Sequence, residues 1–149
     1  MLEQVIGDDK SDKATNLKLK CEALTPTAKS KSKVWALIAD HTNDLSSYQR
    51  SAYMGGFFDR NHPDLLKPYF DKYIEKVHDC ATCGNKEFMG AFVNGACPSF
   101  AITDEFLETL NKVVSEFKGD VHHESFCRTV EKVIGSLKIS KKIKDFAAE

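Results

Sequence analysis

Between Leu45 and Val77 the apolar residues recur at intervals of three and four, and no other stretch restricts the possible folds so tightly. Ser46 followed three residues later by Gln49 has the pattern of a capping box, in which a hydroxyl and an amide satisfy free N–H groups of a first helical turn. A helix is therefore expected from Ser46, with Tyr48, Ala52 and Tyr53 on one stripe and Gly55-Gly56, which accept positive φ, as its end. Beyond the glycines, Leu65, Leu66, Tyr69, Phe70, Tyr73, Ile74 and Val77 share one face of a second helix. Pro68 lacks a donor and crowds the preceding turn, so this helix should kink there or begin again at Lys67. Two antiparallel helices across a short loop are the simplest expectation.

The rest of the chain carries the same period. Met1 to Ile6 reads as a short amphipathic fragment broken by Gly7-Asp8-Asp9. Ser11 or Asp12 can cap a helix that places Leu17, Cys21 and Leu24 inward. Thr25-Pro26 suggests a second start, with threonine at the cap and proline at the first helical position. The helix that follows should turn Val34, Trp35, Leu37 and Ile38 inward and Lys29, Lys31 and Lys33 toward solvent. Asp40 to Asp44 is a polar loop. After Val77 the run HDCATCGNK has no periodicity. Glu87 to Val93 is helical again, closed by Asn94-Gly95. Thr103 caps the clearest helix, with Phe106, Leu107, Leu110, Val113, Val114 and Phe117 on its inner face. Gly119 ends it and Asp120 opens a last helix through Phe126, Val130, Ile134 and Leu137. The basic run Lys138 to Lys144 suits the negative end of its dipole.

No segment alternates with period two for long enough to suggest a strand. The expected fold is all-α, a single helical-repeat domain over residues 1–149. Its seven or eight helices would pair as antiparallel hairpins stacked in a HEAT/armadillo-like α-solenoid, because each pair leaves an apolar face that a neighbouring pair covers.

Charge excludes some functions. Twenty-one basic side chains against 22 acidic ones leave a net charge of −1, with neither a nucleic-acid stripe nor an acidic tail. No apolar run approaches the ~20 residues of a membrane span, and MLEQVIGDDK lacks a basic region followed by a hydrophobic one. A cytoplasmic protein with no nucleic-acid or membrane partner is expected. The five cysteines, an odd number among helical patterns, fit reduced thiols.

Few residues suggest chemistry. Cys80 and Cys83 have the spacing of half a zinc knuckle or of a redox pair, and His78 and Cys97 could complete a tetrahedron; unpaired loop thiols are the ordinary reading. His123-Glu124 with Cys127 four residues after the histidine approaches a zinc-ligand pattern, although Phe126 and Cys127 lie on the apolar side of the last helix. Trp35, Tyr48, Tyr53, Tyr69 and Tyr73 could line a peptide groove, but helical spacing of this kind usually marks core. Cys21 and Cys127 read as small core residues. No catalytic, cofactor-binding or metal-binding residue is assigned from these patterns.

Leu45, Ser46, Gln49, Arg50, Ala52, Gly56, Phe57, Leu65, Leu66, Pro68, Tyr69 and Tyr73 together resemble the C-terminal helical domain of zinc aminopeptidases of the aminopeptidase N and puromycin-sensitive type. Upstream, Ala28 to Trp35 is similar to that family's charged turn before a helix-buried tryptophan. Downstream, Phe88, Met89 and Phe92, then Cys97-Pro98-Ser99-Phe100, resemble its aromatic helix and aromatic-Pro passage, with cysteine where an aromatic is more usual. The resemblance extends over residues 20 to 117. It implies a fragment of a cytosolic zinc enzyme that removes N-terminal residues from peptides, in which these helices cover the active-site chamber and accommodate peptide. The partners would be peptide substrates and the catalytic domain, and the zinc would lie in that domain. The family's zinc-ligand helix, with two histidines one turn apart and a glutamate base between them, is missing from this sequence. The alternatives are a free-standing helical interaction module and a small zinc-stabilised helical protein.

Overall fold

The computed structural model describes residues 11–100 and 102–148, and they form helices and turns without a strand. The fragment expected at Met1–Ile6 lies outside them. The chain divides into two compact units, Met1–Lys67 and Pro68–Glu149.

In the first unit, α1 (Asp12–Leu24), α2 (Ala28–Ala39), α3 (Ser47–Phe57) and the single turn α4 (Pro63–Leu66) follow in order. Their starts are set by side chains that accept otherwise free N–H groups. Ser11 accepts from Ala14, Thr27 from Ser30, and the Ser46–Gln49 capping box is present in both directions. Thr25 does not open α2 as expected. It closes α1, its N–H reaching the Glu22 carbonyl and its hydroxyl the Cys21 carbonyl, so Pro26 stands in the link and Thr27 takes the cap.

The glycine pair expected to end α3 lies inside it, and neither glycine has positive φ. Gly56 is needed for proximity instead. A Cβ there would stand 2.4 Å from the Lys20 carbonyl oxygen and 3.2 Å from the Cβ of Ala23. So close an approach of α1 to α3 leaves room for Ala14 and Ala23, which are buried, while Leu17 and Leu24 remain exposed and Cys21 half-buried. The stripe read from Leu17, Cys21 and Leu24 is thus not the face that packs. Val34, Ile38, Tyr53, Met54, Phe57 and Leu66 fill the core, with the Trp35 ring 5.5 Å from that of Phe57.

The second unit holds α5 (Pro68–Cys80), α6 (Lys86–Gly95), α7 (Asp104–Phe117), a 3₁₀ turn (Val121–His123) and α8 (Glu124–Ala147). The helix interrupted by Pro68 does restart, one residue later than Lys67, which closes α4 by donating to the Pro63 carbonyl. The aperiodic run after Val77 is shorter than expected, because α5 continues to Cys80. Gly84, at φ +70°, then turns the chain into the Asn85 cap of α6.

Thr103 caps α7, and Phe106, Leu107, Leu110, Val113 and Val114 are buried as their spacing requires, each contributing ~1.5–3 kcal/mol relative to exposure. Gly119, at φ +99°, reverses the chain so that α8 returns along α7 and also packs on α6. At the centre, the Tyr73 ring stacks on Phe92 and Phe106 at 5.9 and 6.1 Å, and its hydroxyl donates to the buried Val93 carbonyl at 2.6 Å.

Candidate functional site

Lys31 is the largest departure from the sequence reading, which placed it on a solvated face with Lys29 and Lys33. Those two are exposed, but Lys31 is 0% exposed and sits on the face of Val34 and Ile38. Its Nζ donates to the carbonyls of Ala23 at 2.5 Å and Phe57 at 2.7 Å, and lies 5.2 Å above the Phe57 ring. One cation therefore closes the C-terminal ends of α1 and α3, where free carbonyls concentrate negative potential. Burial lowers its affinity for the proton, an effect opposed by the charge of Asp59. The signal was legible: Lys31, Val34 and Ile38 are spaced i, i+3, i+7.

Arg50 does the same for α2. It is 6% exposed, and its Nη1 donates to the carbonyls of Leu37, Ile38 and Asp40 at 3.0, 3.1 and 2.8 Å. Nη2 reaches Asn43 Oδ1 at 2.8 Å. A planar fork is suited to gathering successive carbonyls of a helix end. These cations organise backbone and present no paired acid and base.

In the second unit the sequence-picked thiols separate from the histidine. His78 Nε2 pairs with Glu116 Oε2 at 2.8 Å, and its ring rests 5.2 Å from Phe117. Cys80 is buried at the end of α5, Cys83 is half-buried in the turn, and Cys97 is half-buried after α6. Burial pushes the Cys80 thiol up to about 12 and the Cys97 thiol up to about 11. His78, Cys80, Cys83 and Cys97 do not surround one point. Among the described residues, no three or more histidine, cysteine, aspartate or glutamate side chains are placed to hold a metal ion.

The second cluster divides in the same way. His123 Nδ1 pairs with Asp120 Oδ2 at 3.0 Å, Glu124 with Arg128 at 2.5 Å, and Cys127 packs inward with its Sγ 3.9 Å from the Val114 carbonyl. An open pocket of about 360 Å³ beside them is lined by Lys118, Asp120, Glu124, Cys127, Arg128 and Glu131. Its charges are already paired, Lys118 with Glu131 at 3.4 Å and Arg128 with Glu124.

Of the aromatic candidates, Tyr53, Tyr69 and Tyr73 are buried and Trp35 half-buried, whereas Tyr48 is 79% exposed. Tyr53 donates to Glu22 Oε2 at 3.1 Å, and Tyr69 lies under the Lys72 ammonium. A surface for binding is clearer at the end of α8, where Ile139, Ile143 and Phe146 are exposed at spacings of four and three beside Lys138 and Lys142. Lys141 is held by Asp104 and Asp145, and Lys144 donates to the Phe100 carbonyl. No protein-family model and no curated protein matches the chain, so function is argued from these residues alone.

Proposed function

We propose that this chain is the C-terminal helical part of a zinc aminopeptidase of the aminopeptidase N and puromycin-sensitive type, with its hairpins stacked in a HEAT/armadillo-like solenoid. Its role is to cover the chamber in which a separate catalytic domain removes N-terminal residues from peptides in the cytoplasm. One observation carries the reading. Arg50, Gly56 and Phe57, three residues on which the resemblance rests, meet structural demands specific to their side chains: a fork for the α2 end, an absent Cβ against α1, and a ring 5.2 Å from the Lys31 ammonium. Agreement at such positions is harder to reach by chance than agreement at interchangeable apolar ones.

The exposed Ile139–Ile143–Phe146 stripe gives a covering partner something to bury. It equally favours the second reading, a free-standing interaction module. The coding sequence upstream of Met1 separates the two. An in-frame pair of histidines one helical turn apart with a glutamate between them is expected; a stop codon and promoter there would defeat the first reading. The chain alone should not hydrolyse aminoacyl-arylamides, and chelator-sensitive hydrolysis that survives purification would also defeat it.

A further inference from the structure

Leu137 is the last buried side chain of α8, and beyond it the outer side of the helix turns apolar. Ile139, Ile143 and Phe146 are 62%, 64% and 81% exposed, and intervals of four and three stack them on one face along ~11 Å of helix. Side chains this exposed form a ridge standing out from the helix.

Positive charge flanks the ridge on both sides. Lys138 and Lys142 each immediately precede an isoleucine of the ridge and so share one edge, whereas Lys144 follows Ile143 and lies on the other. Lys138 and Lys142 are exposed and make no ion pair among the described residues. Lys144 is held by the Ser99 and Phe100 carbonyls, which leave its charge uncompensated. The one acid in this run, Asp145, is paired with Lys141 at 3.2 Å. The chain's net charge of −1 averages this asymmetry away, although residues 138–146 hold four lysines against that single aspartate.

We propose that the end of α8 docks on an anionic phospholipid surface, with Ile139, Ile143 and Phe146 entering the acyl boundary and Lys138, Lys142 and Lys144 meeting the headgroups. A bilayer interface presents negative charge to both sides of an inserted ridge, and this matches cations on both edges. A second copy of the chain would instead set lysine against lysine. The helix lies along the surface, since no helix among the described residues is long and apolar enough to cross a membrane. Such docking needs no catalytic domain, so it is tested apart from the aminopeptidase reading.

The experiment is co-sedimentation of the full chain with sucrose-loaded vesicles. The chain should pellet with vesicles of mixed phosphatidylcholine and phosphatidylserine, less so as salt is raised, and should stay in solution with phosphatidylcholine alone. Each lysine near such a surface is worth about fivefold, so Lys138→Gln with Lys142→Gln should weaken partitioning about twentyfold. Ile143→Ser with Phe146→Ser should abolish it. Lys29→Gln with Lys112→Gln removes the same charge from exposed positions elsewhere and should change partitioning by less than about twofold. All six changed side chains are exposed, and circular dichroism checks that each variant is folded; where one is not, the lipid dependence of the parent chain decides. Equal pelleting with both vesicle types, none with either, an equal loss in the Lys29 and Lys112 variant, or retention by the Ile143 and Phe146 variant would each overturn the proposal and leave the ridge to a protein partner. So would sedimentation velocity showing a dimer that Ile143→Ser dissociates.

Discussion

The ammonium of Lys31 donates to the carbonyl of Phe57 at 2.7 Å, across 26 positions of sequence, while also holding the Ala23 carbonyl. Lys31 is thereby the point at which the ends of α1 and α3 are fastened together. Lys31→Met keeps the length and apolar stem but leaves two buried carbonyls without a donor. A loss of about 2–4 kcal/mol is expected, since each unsatisfied buried group costs ~1–3 kcal/mol. Lys29→Met, on the exposed face, should stay within ~0.5 kcal/mol. Urea denaturation of the two variants checks the contrast, and equal midpoints would refute it.

Arg50→Lys tests whether fork geometry matters beyond charge. A single ammonium cannot reach the Leu37, Ile38 and Asp40 carbonyls and Asn43 Oδ1 together, so a loss of about 1–2 kcal/mol is expected despite the conserved charge. A variant as stable as the parent in chemical denaturation would show that the carbonyl cluster needs only a nearby positive charge.

The adjacent glycines of α3 should respond in opposite directions. Nothing lies within 4 Å of a Cβ built on Gly55, and its backbone is helical, so Gly55→Ala should stabilise by up to ~1 kcal/mol. Gly56→Ala would press its Cβ onto the Lys20 carbonyl, a backbone atom that moves only if α1 shifts. A loss of about 1–3 kcal/mol is expected. Thermal melts of the two variants that moved the same way would contradict the described α1–α3 approach.

Stability should fall as pH rises from about 9 to about 12. Burial raises the Cys80 thiol from 9 to about 12 and the Cys97 thiol from 9 to about 11. Burial and the Glu22 carboxylate raise the Tyr53 phenol from 10 to about 12. In each case the folded chain holds the proton more tightly than the unfolded chain. The resulting stability is complete below the unfolded value and is lost as pH climbs through the folded one. Urea midpoints measured across this range should decline, less steeply in Cys97→Ser; a flat profile would show that these groups ionise alike in both states.

Much of the helix pattern was legible because caps and periodicity are local. Ser46 with Gln49, Thr103 and the Phe106 to Val114 stripe act within a turn or two of chain, so a linear reading finds them. Asp120, expected to open the last helix, instead caps the 3₁₀ turn before it, and α8 begins at Glu124. The chemistry read from spacing was less secure. His78 and Cys80 are neighbours in the letters, yet one faces Glu116 from the surface and the other is buried.

From its letters alone, this chain is determined to be helical and its breaks near Pro68 and at Gly119 are marked, because φ limits, missing donors and side-chain caps belong to individual residues. Tertiary structure decided which face of α1 packs, why Gly56 must lack a side chain, and that Lys31 points inward. Those outcomes depend on how near a second helix comes and on which distant carbonyls need a donor, and both are properties of pairs of segments.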